Sequence, residues 1–470
     1  MSKASPLQDI PMLDYTVSSV TYKPRLQLRG RISRSMVEEL SRSKGEPGWM
    51  LRLRLRSLEL FEKLPMPNWL IGVEELDLEE LSHYVRPDVE RAKSWEELPP
   101  EIRGVYEKLG LPEIEVKALS GLAAQFESEN VYLGFKKFLE EKGVILMDMG
   151  EAVVKYPELV KRYFMRVFPP SDHKFAALHG ALWSGGVFLY VPPGVRIEAP
   201  IEAFFFVASE LESQFEHTLI VADEGSFIHF IEGCAAPLFK KYSFHDGMVE
   251  VYAHRNAHVK FTTVQNWSKN LINFNNKRAI LEENATIEWA EGSLGSKVSY
   301  VYPSVVLKGR GSRASIYNIT LAKGSVWKDS GAKIYHLAPD TSSEVVSKSI
   351  SLHGGVAVYR GLIRIARGAR NSKASVKCDS LLLDAESKAY TYPKNEVEEN
   401  ESIAIHEATT GRLSEEALFY AQSRGLTENE ARRLLVLGYV GDILANLPFE
   451  YQVVFRRVLE IEFEEIGGYG

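Results

Sequence analysis

The spacing of apolar residues changes twice along the chain, near residues 176 and 409. Before the first change, apolar residues recur every three or four positions, which is the spacing of an amphipathic helix. In "WMLRLRLRSLELFEK" this spacing places four apolar residues on one stripe, Leu51, Leu55, Leu58 and Phe61. The run "LRLRLR" also alternates as a strand does, but helical spacing continues beyond Leu55, so we predict a helix. Ser35 followed by Glu38 predicts a capping box, and "VEELDLEELSHY" and "KFLEEKG" predict two further helices.

The middle of the chain consists of short runs of β-branched and aromatic residues, which are typical of strands. The clearest runs are "GVFLYVP", "HTLIVAD", "HVKFTTVQNW", "TIEWAEG", "ASIYNITLA" and "GLIRIARG". Many follow a turn of small residues, and they recur at roughly 30-residue intervals, which indicates a weak internal repeat. An antiparallel sandwich and a parallel β-solenoid both fit this pattern. The regular recurrence without Asn-Gly hairpin turns favours the solenoid.

The last part of the chain returns to helical spacing. Thr427 and Glu430 form a second capping-box pattern at the start of "TENEARRLLVLGYVGDIL", and "FEYQVVFRRVLEIEF" predicts another helix after Pro448. We therefore predict an N-terminal helical or mixed domain over residues 1–175, a β-solenoid core over residues 176–408 and a C-terminal helical domain over residues 409–470. A helical domain at each end would cover the exposed ends of the solenoid.

Composition and charge narrow the classes of function. The net charge of −7 and the pI near 6.0 argue against a nucleic-acid-binding protein, which is normally basic. Two cysteines in 470 residues cannot build a disulfide framework, which favours a reducing cytoplasm. The N-terminus lacks the pattern of a signal peptide, and no run approaches the roughly 18 apolar residues of a membrane span. The chain has no Gly-Lys dipeptide, so it has no Walker A loop for ATP hydrolysis.

Both cysteines lie in strand-like runs, and each allows two interpretations. In "VKCDSLLL", Cys378 shares a face with Val376, Ser380 and Leu382, so it is either a small core residue or a ligand and sulfur carrier. Cys234, in "FIEGCAAPLF", is open to the same two interpretations. Neither cysteine has a CxxC partner, which argues against a structural zinc site.

Other polar residues are also ambiguous from the pattern alone. His406 and Glu407 are adjacent in "IAIHEATTGRL", so on a strand they point to opposite faces and at most one serves a given site. A cap or a surface pair is the alternative. In "TTVQNW", Gln265 and Trp267 share a face that is either turned to solvent or buried. If it is buried, Gln265 needs a hydrogen-bond partner, which Lys277 would supply.

Many stretches of the chain, spread from about residue 33 to 450, resemble the SufB family of iron–sulfur cluster assembly scaffolds. They include "SRSKGEPGWMLRLRL", "LPMPNW", "FAALHGALWSGGVFLYVPPGV", "EGCAAP", "QNWS", "GAKIYHLAPDTSSEVVSKSIS", "YRGLI", "CDSLLLD" and "HEATT…LFYAQSRGL". The resemblance implies a right-handed parallel β-helix between helical domains.

The same resemblance implies a scaffold that carries an iron–sulfur cluster transiently and is not itself an enzyme. Its expected partners are the SufC ATPase, docked on the C-terminal helices, and SufD or a second identical chain. A cysteine desulfurase system would donate sulfur, apo-proteins would accept the cluster, and a reduced flavin has been proposed as a further cofactor for the family. Neither nucleic acid nor a membrane is expected as a partner.

The resemblance also assigns roles to individual residues. The cluster-building cysteine of the family falls on Cys378 and its essential glutamate on Glu407, which makes these two the expected metal ligands. His406 aligns with the functional histidine of the SufD paralogue. The family's sulfur transfer path falls on four residues, Cys234, Gln265, Trp267 and Lys277.

Two positions depart from the family pattern. Phe206 in "FFFV" and His217 in "QFEHT" stand where the family usually has arginine. Loss of the first arginine is expected to remove a positive charge that could hold a thiolate near Cys234.

A four-iron cluster normally takes four thiolates, and this chain has only two cysteines. We therefore expect Cys378 and Glu407 to lie near a subunit interface, with His406 donated across it or supporting the ligands. Two other functions remain open. A SufD-like structural partner would carry no cluster, and a β-helix carbohydrate-active enzyme would need paired carboxylates, which the repeat region does not offer.

Overall fold

The computed structural model describes residues 22–108, 111–445 and 452. It is mainly β, with 44% strand and 24% helix, which confirms the predicted fold class. A β-solenoid of about 8 turns has helices at both ends. The helix predicted over residues 449–463 lies outside the described residues, apart from residue 452. No helix in the described part of the chain is long and apolar enough to cross a membrane.

The N-terminal region combines helices with five strands. Its helices are α1 (Arg34–Ser43), α2 (Gly48–Lys63), α3 (Pro100–Lys108), α4 (Leu111–Ala118), α5 (Lys137–Glu141), α6 (Met149–Lys155), α7 (Pro157–Tyr163) and α8 (Lys174–Leu182). Its strands are β1 (Pro24–Arg29), β2 (Ser82–Pro87), β3 (Gly121–Phe126), β4 (Glu129–Phe135) and β5 (Ile145–Asp148). The last three strands join the sheets of the solenoid, so the solenoid recruits strands from before residue 176.

Two predictions about this region are wrong. The N-cap of α1 is Ser33, whose side chain accepts a hydrogen bond from the Met36 backbone, so Ser35 lies inside the first turn. The segment "VEELDLEELSHY" forms only a three-residue 3₁₀ helix, Leu78–Glu80. Its last residues enter β2 because they pair with β1 and become buried there. The helices predicted from "LRLRLR" and "KFLEEKG" are confirmed as α2 and α5.

The solenoid is built from two facing parallel sheets. The chain visits them in turn through β6 (Val187–Val191), β7 (Arg196–Phe206), β8 (Ser213–Gln214), β9 (His217–Ala222), β10 (Phe227–Ala235), β11 (Ser243–Ala253), β12 (His258–Trp267), β13 (Leu271–Leu281), β14 (Thr286–Gly295), β15 (Val298–Val301), β16 (Ser304–Leu307), β17 (Arg313–Lys323), β18 (Trp327–His336), β19 (Ser342–Leu352), β20 (Val356–Ile365), β21 (Lys373–Leu382), β22 (Lys388–Val397) and β23 (Ile403–Arg412).

One sheet runs β4-β3-β7-β10-β12-β14-β17-β19-β21-β23, and the path of the other runs β5-β6-β9-β11-β13-β15-β18-β20-β22. Only the β3–β4 and β5–β6 pairs within these sheets are antiparallel.

The register explains the repeat seen in the sequence. Along the first sheet, partner residues one turn apart are between 27 positions (Thr286 and Arg313) and 31 positions (Ser342 and Lys373) apart. Alternate residues of each strand point inward and form one apolar core that runs along the solenoid. This core runs as far as Cys378 of β21, so the position of a side chain along the axis follows directly from its strand.

The C-terminal helices are α9 (Glu415–Ser423) and α10 (Glu428–Leu444), and the predicted capping box of Thr427 and Glu430 is confirmed. The buried face of α10, including Val436 and Val440, packs on residues such as Ile350 and Leu381, which point outward from the first sheet. Helix α10 therefore covers the outer face of these strands, and their inward residues belong to the core of the solenoid.

Candidate functional site

Cys378 and His406 meet on the inward face of the last two strands of one sheet. Strands β21 and β23 are parallel neighbours with Val376 opposite His406, so Cys378 lies one pleat further along. The Cys378 Sγ atom is 3.2 Å from His406 Nε2. Cys378 is 4% exposed and His406 is half-buried. The structure therefore places a thiol within hydrogen-bond distance of an imidazole at the end of the solenoid.

Burial governs the protonation of this pair. It raises the pKa of the Cys378 thiol to about 11, although the nearby Thr391 hydroxyl lowers this pKa. Burial also lowers the pKa of His406. Both shifts favour the neutral forms, so near pH 7 the site holds a thiol and a neutral imidazole. A thiolate would have to be stabilised by a group that arrives from outside, such as a metal ion.

Tyr359 completes the surroundings of the thiol and was missed by the sequence reasoning. The Tyr359 ring meets the His406 ring edge-on at a centroid distance of 5.8 Å. Burial raises the pKa of Tyr359, and the nearby Cys378 adds a smaller increase. The hydroxyl is buried and has no hydrogen-bond partner among the described residues. A Cβ atom at Gly361 would lie 2.8 Å from Tyr359 Cε1, so this glycine makes room for the ring. The motif "YRGLI" contains both residues and was the available signal.

Glu407 does not join this group. It lies opposite Lys377 in the register and is exposed, whereas its neighbour His406 is half-buried. The two side chains therefore occupy opposite faces of β23, as adjacent residues on a strand do. In the described part of the chain, no group of three or more His, Cys, Asp or Glu side chains is arranged to hold a metal ion.

Two rows of inward-facing residues connect the level of Cys234 with that of Cys378. One row follows the register through Cys234, Gln265, Ser293, Thr320, Ser349, Ser380 and Thr410. The adjacent row contains Glu232, Thr263, Glu291, Asn318, Ser347 and Cys378. Five strand steps separate β10 from β21, which corresponds to about 24 Å at the usual strand spacing. Apart from the cysteines, every member of these rows is polar, and polar side chains of the second sheet, such as Asn273 and Lys277, face them across the interior.

Lys277 reaches across this interior from the other sheet. Its Nζ atom lies 3.1 Å from Glu232 Oε1 and 3.0 Å from Glu291 Oε2, and it donates to Thr263 Oγ1 at 2.7 Å. Burial opposes the charge of Lys277, but the two carboxylates outweigh it and raise the pKa of the ammonium group. Burial raises the pKa of Cys234 well above its usual value, and Glu232 adds to this effect. Cys234 is therefore a protonated thiol beside a charged lysine.

Gln265 and Trp267 also face the interior, which excludes the solvent-facing alternative. The partner of Gln265 is not Lys277, because Gln265 Oε1 accepts a hydrogen bond of 2.6 Å from Asn273 Nδ2. The Trp267 ring lies over the His245 ring at a centroid distance of 4.4 Å. Gln265 Nε2 and Trp267 Nε1 are buried without a partner among the described residues, so this part of the interior has unused hydrogen-bond donors.

The two positions that depart from the family pattern both lie outside the interior. Phe205 packs with Cys234, but Phe206 belongs to the cluster on the other face of the sheet and stacks on Phe126 at 6.0 Å. The expected loss of charge at Cys234 therefore does not follow from Phe206. His217 is buried, with Nε2 3.2 Å from Glu250, and burial lowers its pKa to about 3.

Taken together, these features define a parallel β-solenoid protein with a free thiol beside an imidazole in its last turns. The family described as "SUF system FeS cluster assembly, SufBD core domain" matches residues 204–439. The family described as "SufBD protein N-terminal region" matches residues 41–203. The chain belongs to the SufBD family of iron–sulfur cluster assembly proteins.

Similar proteins carry the same description. An iron–sulfur cluster assembly SufBD family protein of Staphylococcus aureus strain MRSA252 is 46% identical over 434 residues, which cover 92% of this chain and 93% of the relative. A Staphylococcus epidermidis protein with the same family description is 45% identical over 434 residues, with the same two coverages. The similarity thus extends over nearly the full length of both chains.

Proposed function

We propose that this SufBD protein is a SufB-type scaffold on which iron–sulfur clusters are built and then transferred in the SUF system. It is not an enzyme in this proposal, and a SufC ATPase partner supplies ATP hydrolysis. One observation carries the proposal, the contact of Cys378 with His406 in the last turns of the solenoid. A buried thiol that serves only as a core residue behaves as a small apolar side chain and packs best among apolar neighbours. An imidazole beside it therefore points to a chemical role.

The end of the solenoid supports a second chain as part of the site. Strands β22 and β23 are the terminal strands of their sheets and expose apolar residues, namely Tyr390, Tyr392, Val397, Ile403 and Ile405. Unpaired strand edges and exposed apolar patches are typical of surfaces that associate. We place SufD or a second identical chain on this end.

The cluster in this proposal is cargo that is shared between two chains. Cys378 is the thiolate ligand from this chain, with His406 beside it as support or replacement, and Glu407, on the opposite face of β23, is a ligand at the interface with the second chain. Glu407 lies on the exposed face of β23, where a second chain would approach. Few and mixed ligands hold a cluster less tightly than four thiolates do, which suits transfer to an apo-protein.

Sulfur would reach Cys378 through the interior. In this proposal a cysteine desulfurase transfers its persulfide sulfur to the Cys234 thiol and regains its own thiol. A reduced flavin supplies the two electrons that release this sulfur as hydrosulfide, and the polar rows that contain Gln265 lead the anion to Cys378. Trp267 and Lys277 line the entrance to these rows. The unused donors of Gln265 and Trp267 support the route, because a sulfur anion passing them would find hydrogen bonds.

The C-terminal helices offer a surface for the ATPase. Phe419 and Tyr420 on α9 and Leu434 on α10 are 73%, 61% and 57% exposed. We propose that SufC docks here and that closure of two SufC subunits around ATP twists the paired solenoids and uncovers Cys378. The two free cysteines fit a reducing cytoplasm as the place where this occurs.

Anaerobic reconstitution with ferrous iron and inorganic sulfide tests the proposal. We expect Cys378→Ala to lose most of the visible absorption of the reconstituted complex. Cys234→Ala is the matched control, because inorganic sulfide bypasses the sulfur route and should leave its absorption unchanged. If Cys378→Ala absorbs as strongly as the wild type, the chain is instead a SufD-like partner that carries no cluster, as the alignment of His406 would allow.

A further inference from the structure

A cavity of about 60 Å³ lies outside the solenoid core, between the N-terminal region and the outer face of the second sheet. Its walls are largely aromatic, with Trp69 and Phe168 from the N-terminal region and Phe274 and Tyr300 from the solenoid. One water needs about 10 to 15 Å³ on this measure, so the cavity has room for a small ligand. Trp69 is 41% exposed, so this wall of the cavity is in contact with solvent.

One edge of the cavity carries polar groups with unused hydrogen-bonding capacity. Arg278, Ser304 and Lys333 are consecutive partners across three strands, and all three line the cavity. Ser304 is 1% exposed, and its Oγ atom has no hydrogen-bond partner among the described residues. The Lys333 ammonium lies over the Tyr302 ring at 4.9 Å, and no hydrogen bond or ion pair of this group is found within the described ranges.

Among the charged side chains around the cavity, one positive charge has no ion-pair partner within the described residues. The two carboxylates that act electrostatically on Lys333 are already paired, Asp172 with Arg278 and Asp329 with Arg360, each at 2.8 Å. The pKa of His173, which also lines the cavity, is lowered by burial to about 4, so His173 is neutral at pH 7. Burial, followed by Arg278, lowers the pKa of Lys333, and an incoming anion would oppose this shift, so Lys333 is the cation that such an anion would pair with.

We propose that this cavity binds a small organic monoanion through its carboxylate group. The Lys333 ammonium and the Ser304 hydroxyl donate hydrogen bonds to the carboxylate oxygens, and the aromatic walls cover the apolar part of the ligand. A single negative charge matches the single uncompensated lysine. Phosphate fits less well, because it has more negative charge and more acceptor oxygens than these two donors can satisfy. The aromatic walls offer the remaining oxygens no hydrogen bonds.

The site also accounts for two sequence motifs that the scaffold function leaves unexplained. "LPMPNW" ends with Trp69, and "GAKIYHLAPD" contains Lys333. These residues are far apart in the chain and meet at this cavity. The inference does not depend on cluster assembly, since the cavity lies on the outer face of the second sheet and Cys378 on the inner face of the first sheet.

Ligand-observed NMR titrations with the full chain test the proposal, with propionate as the probe. We expect propionate to bind with millimolar affinity, and Lys333→Met to weaken binding about tenfold or more, as loss of a charge-assisted hydrogen bond would. Ser304→Ala should weaken it by a smaller factor. Lys308→Met removes an exposed lysine one strand away and should leave the affinity unchanged. Thermal unfolding of each variant shows whether it is folded.

Two further ligands separate the chemistry of binding from non-specific attraction. Propionamide has the same shape without the charge, and we expect it to bind at least about tenfold more weakly. Inorganic phosphate should also bind more weakly than propionate. The proposal is overturned if phosphate or propionamide binds as tightly as propionate, if folded Lys333→Met retains the wild-type affinity, or if propionate shows no binding.

Discussion

Cys378 shows how one residue combines a core position with a chemical role. Its side chain is packed at the end of an apolar core, yet it touches an imidazole and lies beside a buried phenol. In a purely apolar core these polar groups would be unfavourable, because each loses its hydration without full compensation. The residue therefore has the surroundings of a site that is filled only when a further group, here the proposed cluster, arrives.

The raised pKa of this thiol gives a prediction at the same scale. In a Cys234→Ser variant, the rate at which iodoacetamide alkylates Cys378 should keep rising with pH until about pH 11, where the thiol titrates. The sign follows because only the thiolate reacts and burial moves its formation to higher pH. Mass spectrometry of the labelled peptide measures the rate. The same variant unfolded in urea is the control, and its rate should level off near the ordinary thiol pKa. A plateau of the folded protein at that lower pH would contradict the assigned environment.

At the scale of single elements, the glycine of β20 determines how the ring of Tyr359 sits beside the site. A Cβ atom at Gly361 would lie 2.8 Å from Cε1 and 3.0 Å from the hydroxyl oxygen of Tyr359. Gly361→Ala should therefore lower the free energy of unfolding by about 1–3 kcal/mol, as overpacking does, measured by urea unfolding. Gly411→Ala on β23 is the matched control, because a Cβ there meets nothing within 4 Å. Equal effects of the two substitutions would show that the Tyr359 ring is not held by this contact.

The elements also show what the sequence pattern could and could not predict. The run "HVKFTTVQNW" matches β12 residue for residue. A strand with one buried face alternates apolar and polar residues, so its own sequence is enough to predict it. "VEELDLEELSHY" misled, because β2 exists through its pairing with β1, and such long-range pairing overrides local spacing. The contact of Cys378 with His406 joins residues 28 positions apart, so it depends on the length of one solenoid turn. The resemblance identified both residues, but only the register shows that they touch and that Glu407 faces away.

At the scale of the whole molecule, the two ends of the solenoid differ in the strands that close them and in how exposed those strands are. At the N-terminal end the sheets finish with the antiparallel strands β4 and β5, and helices such as α8 bury a wide apolar cluster along the outer face of the second sheet. At the other end, the terminal strands β22 and β23 leave most of their residues exposed. A solenoid has no intrinsic stop, so an uncovered last turn is a surface for further association. Within the candidate site, His406 lies on the terminal strand β23 and Cys378 lies one strand further in.

This asymmetry predicts that the uncovered end is the assembly surface. Ile405 on β23 is 54% exposed, so Ile405→Lys should not affect the folding of the single chain. In the complex it would place a lysine inside an apolar contact, and we expect the chain-to-chain affinity to fall by about tenfold or more. Sedimentation of the complex, purified from cells that express all SUF components, measures the effect. Leu238→Lys replaces a residue that is 72% exposed elsewhere and is the control. If Ile405→Lys assembles like the wild type, the partner binds another surface, and the cluster ligands would have to come from this chain alone.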